Sequence, residues 1–479
     1  MPTTNGNRKI LDLKRWEFCT PLPSVTAAAH FTVSSRHYRQ QQMLVQSNTS
    51  AFLYNPSEDG WIQVPSPALA GTFGAGACGV AGSFSTGTTV AASLLTATAG
   101  TTTSITTNQT LARDLRGYSV YFVGGTNAGR LKTIASNAIG TNAVITFEGA
   151  AEAVAFDATS QYRIISPVFY VLGAGTLAAG SFRKYDFATN TWTTLAITGL
   201  AATIGTDGRL ISTPAWIDAG FKSFATGTAT AGGTATLTNS AKNWTVNQWT
   251  NYQIRISAGT GAGQIRTIAS NTATVITVST NWTVTPDATS QYSIEGNDDF
   301  IYFIGNNAVT LYRYSISGNT WTTLTPGVAR GAAPGAGASG HWVHSVTAAD
   351  WANENAILNG RYIFSLRGGA SAALDRYDIA ANTWAAITYS PATETFTTGT
   401  KYAYLKDRLY ISKEATGRWF AYDFSENAMQ PWGTMTYTQG AALLGDTAFD
   451  VTYKDGTTEI DYIYMGLNTS TVLLRQMVI

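Results

Sequence analysis

The sequence predicts an all-β protein, and three observations carry that expectation. One hairpin-like unit recurs along the chain. The composition suits strands, with abundant Thr, Gly and Ala, 13 Trp and 23 Tyr, and only 12% Asp, Glu, Lys and Arg. Two long stretches between copies of the unit resemble each other and read as short strands broken by Gly, Asn and Thr turns.

The recurring unit is clearest at Tyr377-Asp378-Ile379-Ala380-Ala381-Asn382-Thr383-Trp384. Tyr185-Asp186 runs to Asn190-Thr191-Trp192, Tyr314-Ser315 to Asn319-Thr320-Trp321, and Tyr54-Asn55 to Asp59-Gly60-Trp61. Each copy sets Trp seven residues after Tyr, whereas Tyr422-Asp423 reaches Trp432 three residues late. Leu374 to Asp378 alternates as a strand and Thr383 to Ile387 begins another. Between them Asp378 is placed to accept bonds from turn amides, and Asn382 is a residue type that tolerates the left-handed conformation of a tight turn. An apolar strand precedes each copy, as in Arg361-Tyr362-Ile363-Phe364-Ser365-Leu366 before Gly368-Gly369.

The order strand, paired glycines, Tyr-Asp, turn and Trp resembles the kelch repeat, which implies four-stranded propeller blades. An ordinary sandwich of similar hairpins is the simpler alternative. Ile10-Leu11-Asp12-Leu13 and Arg15-Trp16-Glu17-Phe18 look like the Trp half of a unit. Its missing half is expected at Leu473 to Ile479, so that one blade takes strands from both termini and no edge stays open. Trp16, Trp61, Trp192, Trp321, Trp384 and Trp432 then mark six blades, with seven as the alternative count. The expected fold is an all-β, six-bladed kelch-like β-propeller closed by both termini, carrying two small β-rich insert domains.

The inserts follow from spacing. The interval from Trp61 to Trp192 is 131 residues and that from Trp192 to Trp321 is 129, against 45 to 63 elsewhere. Gly129-Arg130-Leu131-Lys132-Thr133-Ile134-Ala135-Ser136-Asn137 recurs as Gly263-Gln264-Ile265-Arg266-Thr267-Ile268-Ala269-Ser270-Asn271. Asp157-Ala158-Thr159-Ser160-Gln161-Tyr162 recurs unchanged as Asp287-Ala288-Thr289-Ser290-Gln291-Tyr292. Taking 83–165 and 226–295 as inserts restores the blade period and leaves the propeller in three parts, 1–82, 166–225 and 296–479. The second insert, with Trp244, Trp249, Gly259-Thr260-Gly261-Ala262-Gly263 and Trp282, resembles a small β-module of bacteriophage virion proteins. The first retains part of that pattern, without the tryptophans.

Net charge is +1, which offers no electrostatic footprint for nucleic acid or acidic membrane. Cys19 and Cys78 are the only cysteines, too few for a disulfide framework or a cysteine zinc site; two buried thiols fit better than one bridge. Met1 to Gly6 lacks the apolar core of a secretory signal, and no run of about 18 apolar residues reads as a membrane helix.

Candidate chemistry is sparse. His341-Trp342-Val343-His344 sits where a strand is expected, so its rings point to opposite faces and do not chelate one metal. Kelch-type propellers include a copper oxidase, but His30, His37, His341 and His344 form no matching local pattern. Ser315-Ile316-Ser317-Gly318-Asn319-Thr320-Trp321 resembles the Asp-box of sialidases with Ser317 in place of Asp. Arg330, Arg361 and Arg367 read as solvated loop or strand-end charges. Gly331-Ala332-Ala333-Pro334-Gly335 lacks the ending of a phosphate loop. No cofactor, metal site or catalytic set is expected.

The resemblance to virion modules implies a non-enzymatic structural protein of a tail, neck or capsid surface, assembled in the host cytoplasm in multiple copies with other virion proteins. The alternatives are a propeller that binds host surface glycan and a sialidase-like glycan hydrolase. Trp244, Trp249 and Trp282 are the expected docking surface, because Trp is enriched at interface hot spots.

Overall fold

A computed structural model of the chain describes most of residues 42–335, 362–435 and 448–478, together with 16–23, 30–32 and 341–342. Within those ranges 86–94 is the longest stretch outside the description. The described residues form antiparallel strands and turns, with no helix among them. The all-β architecture, with one sheet curled into a half-barrel, fits a β-propeller-like fold.

Among the described residues, six four-stranded units can be traced. Sheet A runs Glu17–Phe18, Leu473–Val478, Thr458–Gly466 and Ala448–Asp455. Sheet B runs His30–Thr32, Gln42–Val45, Ala51–Asn55 and Gly60–Val64. Sheet C takes Cys78–Ser85, the second half of Gln161–Leu172, Phe182–Asp186 and Thr191–Thr194. Sheet D takes Arg209–Ser212, Phe300–Ile304, Leu311–Ser315 and Thr320–Leu324. Sheet E takes His341–Trp342, Tyr362–Leu366, Leu374–Asp378 and Thr383–Ile387. Sheet F takes Lys401–Leu405, Arg408–Ser412, Arg418–Asp423 and Ala428–Thr434.

Alternation of side chains across each strand lets one sheet bury both faces. In sheet E, Phe364 and Leu366 pack with Leu409 and Phe420 of sheet F, whereas Ile363 packs with Tyr302 and Ile304 of sheet D. In sheet A, Ile463 and Met465 meet Trp419 of sheet F, and Tyr464 and Leu473 meet Leu44 and Tyr54 of sheet B. Met43 and Leu53 of sheet B pack with Phe169 and Val171 of sheet C, whose Tyr170 and Phe182 pack with Phe303 and Trp321 of sheet D.

The hairpins of sheets B to F share one corner. Asp59, Asn190, Asn319, Asn382 and Asn427 all have positive φ, between 47° and 54°. Each accepts a bond from the Tyr hydroxyl five residues earlier, at 2.6 Å for Tyr54 and 2.7 Å for Tyr185, Tyr314, Tyr377 and Tyr422. Asp378 accepts from the amides of Ala380 and Ala381, at 3.0 Å each. Trp pairs directly opposite Tyr in sheets B to E, with ring centroids 4.8–5.2 Å apart. In sheet F the residue opposite Tyr422 is Met429, and Trp432 packs on Tyr410 instead. The late tryptophan is a change of partner within an unchanged turn.

These corners also reach the neighbouring sheet. Trp61, Trp192 and Trp321 donate through Nε1 to the carbonyls of Thr20, Pro65 and Ala196, and Asn382 and Asn427 donate to those of Thr325 and Thr388. Each acceptor lies just past the outer strand of the preceding sheet.

The terminal strands pair as expected, but over a short span. Glu17 lies opposite Arg475 and Phe18 opposite Leu474, extended by the Cys19 N–H to Leu473 and the Leu22 N–H to Thr471. Ile10 to Leu13 lies outside the described residues. Cys19 and Cys78 are both buried free thiols, and burial pushes the Cys19 thiol up to about 12.

Candidate functional site: the paired modules

The inserts are two copies of one small β-module. In module 1, Leu95–Gly100, Ser104–Thr107, Val144–Phe147, Leu131–Asn137, Ser119–Gly124 and the first half of Gln161–Leu172 pair in a cycle, because the last strand bonds to both Ser119–Gly124 and Leu95–Gly100. In module 2, Gln253–Ala258, Ile265–Asn271, Val275–Val278 and Thr236–Thr238 repeat the order. Register shifts fall at matching places: Phe122/Gly124 against Ile256/Ala258, and Ile134/Ser136 against Ile268/Ser270. A bulge at Ala97/Ala99 corresponds to the break between Ala225–Thr228 and Ala231–Gly233.

The repeated hexapeptide forms a polar knot in both copies. Asp157 accepts from the Thr159 amide at 2.8 Å and from Thr126 Oγ1 at 2.7 Å; Asp287 accepts from the Thr289 amide and from Thr260 Oγ1, at 2.8 Å each. These bonds, led by the Thr159 and Thr289 hydroxyls, hold both carboxyls below the usual carboxylate range. Gly125 and Gly259 pass so close to the Thr159 and Thr289 carbonyls that a Cβ at either would lie 1.8 Å or 2.0 Å from the oxygen. Only glycine fits there.

The copies diverge inside. The Asn137 side chain accepts from the Leu115 amide at 2.6 Å, and Asn271 accepts from the Trp249 amide at 2.8 Å, so Trp249 occupies the place of Leu115. Trp282 stands where module 1 has Glu152, since their amides donate to the matching carbonyls of Thr234 and Thr102. Arg266 accordingly lies 5.6 Å over the Trp282 ring, while Lys132 forms a 2.9 Å ion pair with Glu152.

The expected docking surface is therefore corrected. Trp249 and Trp282 are 1% and 5% exposed and form the core of module 2; Trp244 is half-buried against Tyr292. The apolar area of Trp249 and Trp282 is consumed inside the fold. Among the described residues, the large apolar side chains that the modules do expose are Ile139, Val144 and Val154 in module 1 and Val246 and Val284 in module 2, with Val154 and Val284 equivalent turn residues 59% and 48% exposed. The modules touch each other: Arg163 donates to Gln253 at 2.7 Å, and Gly124 approaches Gly263 and Ile265.

The arginine expectation is also corrected. Arg330 is buried, with Nε 2.7 Å from Asp375, and Arg367 grips the same carboxylate through two bonds of 2.7 and 2.8 Å. Arg361, His37, His344 and Ser317 lie outside the described residues. His341 and Trp342 are in a strand, as expected. The described part of the Gly-rich run crosses the Gly368-Gly369 turn, where a Cβ on Gly335 would lie 2.7 Å from Gly369 Cα. Among the described residues, no group of three or more His, Cys, Asp or Glu could hold a metal ion, and no helix is long and apolar enough to cross a membrane.

No family model and no curated protein matches the sequence. Among solved structures, a chain described as "Crystal Structure of Mitotic Checkpoint Complex" is similar over 100% of this chain and 97% of that one, at 10% identity and a TM-score of 0.36.

Proposed function

We propose that the six sheets close into a six-bladed, kelch-like ring sealed by both termini, and that the protein is a non-enzymatic structural component of a bacteriophage virion. It acts through contacts with other virion proteins at a tail, neck or capsid surface. The ring reading rests on the apolar clusters between successive sheets, including sheets A and B, and on the Glu17–Arg475 seam. Deleting residues 471–479 is expected to expose a strand edge and cause aggregation. A soluble deletion variant with unchanged melting overturns closure.

The assembly reading rests on the duplicated module. Two copies keep the same bulges, knots and close glycine contacts while their cores diverge, which is the pattern of a retained outer shape over a freely varied interior. Mass spectrometry of purified particles is expected to find the protein at many copies. Replacing 95–160 with a short Gly linker should leave a folded body that fails to incorporate. Module 1 is the one to remove, because its core is its own. Absence from particles, or normal incorporation of that variant, overturns the reading.

A further inference from the structure

The corner of sheet E departs from those of sheets B, C and D in a way that leaves hydrogen-bond donors over. In sheets B, C and D the Trp Nε1 donates to a carbonyl of the preceding exit segment. At sheet E that segment forms a parallel bridge, Val328 to Thr383, like the Ser390 to Ala428 bridge before sheet F, and the Trp384 amide bonds to the Val328 carbonyl at 2.9 Å, but Trp384 Nε1 finds no carbonyl there. Two residues further on, the Arg330 guanidinium comes to lie 4.9 Å over the Trp384 ring. Trp384 Nε1 and Arg330 Nη1 are then both buried without a hydrogen-bond partner.

The charge does not balance either. Among the described residues, Asp375 is the carboxylate in contact with both guanidiniums, and it is 1% exposed. Arg367 makes two bonds to it and keeps partial access to solvent; Arg330 makes one and has a side chain 1% exposed. Arg330 Nη2 is satisfied by Ser365 Oγ at 2.9 Å, a neutral partner. Two guanidiniums share one carboxylate, so the cluster carries a net positive charge, part of which reaches solvent at Arg367 while the Arg330 end stays buried.

We propose that a monovalent anion of the halide class binds beside Arg330, taking the free Nη1 donor and the Nε1 donor of Trp384. A halide supplies the missing negative charge and accepts from both donors without bringing further groups. Phosphate and sulfate carry more charge and more acceptors than these donors match. A ligand carboxylate would have to thread its carbon chain to a nearly inaccessible guanidinium. The bound anion would pin the segment that enters sheet E from sheet D.

The test uses the whole chain, unfolded by heat in sodium gluconate and in sodium chloride or bromide at equal ionic strength. Wild type is expected to melt higher in halide, with a saturable dependence. Trp384→Phe keeps the ring and removes one donor, and should raise the half-saturating halide concentration by about tenfold or more. Arg330→Met leaves Asp375 paired with Arg367, removes the excess charge, and should abolish the response. Crystals grown in bromide should show an anomalous peak within hydrogen-bonding reach of Arg330. Equal melting of wild type in gluconate and halide, a response unchanged in both variants, or an ordered water in place of bromide overturns the proposal.

Discussion

Leu115 in module 1 and Trp249 in module 2 hold the same place against the same asparagine buckle, yet the two modules are built into the protein differently. Module 1 closes its core with residues of its own, from Leu95 to Ile164. The core of module 2 runs on without a break into Tyr302 and Ile304 of sheet D and Tyr377, Ile379 and Trp384 of sheet E. Gln248 also donates to the Ala380 carbonyl, inside the Tyr-Asp turn of sheet E. The sequence expectation that both inserts are separable units is thereby corrected for module 2. Equal topology does not imply equal independence.

The sharpest way to break this comparison is to empty both cores at the matched position. Trp249→Ala should cost about 3–5 kcal/mol and speed hydrogen exchange in sheets D and E as well as in module 2. Leu115→Ala should cost about 2–5 kcal/mol, with faster exchange confined to module 1. Spread of the Leu115→Ala effect into sheet D or E would remove the distinction. A smaller contrast lies in the buckles. Asn271 is 2% exposed and also donates to the carbonyls of Thr245 and Thr272, so Asn271→Ala should cost about 1–3 kcal/mol. Asn137 is only partly buried, and its substitution should cost less in the same denaturant titration.

The contact between the modules gives a third, weaker handle. Gln253→Ala removes the acceptor of Arg163 and should cost about 1 kcal/mol, read as a shared loss of exchange protection at Arg163 and Gln253. Protection lost in one module only would mean that they open independently. The smallest effect concerns acid. Asp157 and Asp287 have folded pKa values below their ordinary 3.8, so the knots stabilise the fold above that pH. Their contribution fades as pH falls through 3.8 toward the folded values. Asp157→Asn together with Asp287→Asn should flatten the acid limb of the melting curve, and an unchanged limb would show that the knots carry no linkage.

Much of the fold was legible because it repeats. Tyr and Trp seven residues apart announce a four-residue turn between paired strands, and five corners carry the expected Asn or Asp in the left-handed region. The letter-for-letter hexapeptide announced the second module, since its Asp and Thr bond locally and tolerate few substitutes. Which surface a tryptophan faces was not legible. Trp249 and Trp282 lie in Thr- and Asn-rich surroundings that look exposed in sequence, and only the curled sheet turns them inward. The burial of Arg330 was equally hidden, since its partner Asp375 is 45 residues away.

The strand Gln161–Leu172 has a mechanical consequence. Its first half belongs to module 1 and its second to sheet C, with an unbroken ladder to Cys78–Ser85 from Leu172 back to Ile165. A boundary at 165 falls within that strand, so there is no hinge at which the module can swivel. Tension applied to module 1 along this strand is shared by the whole ladder in shear, with its bonds lying across the line of pull. The module is rigidly keyed to sheet C, and a load on it is borne by that ladder as a whole.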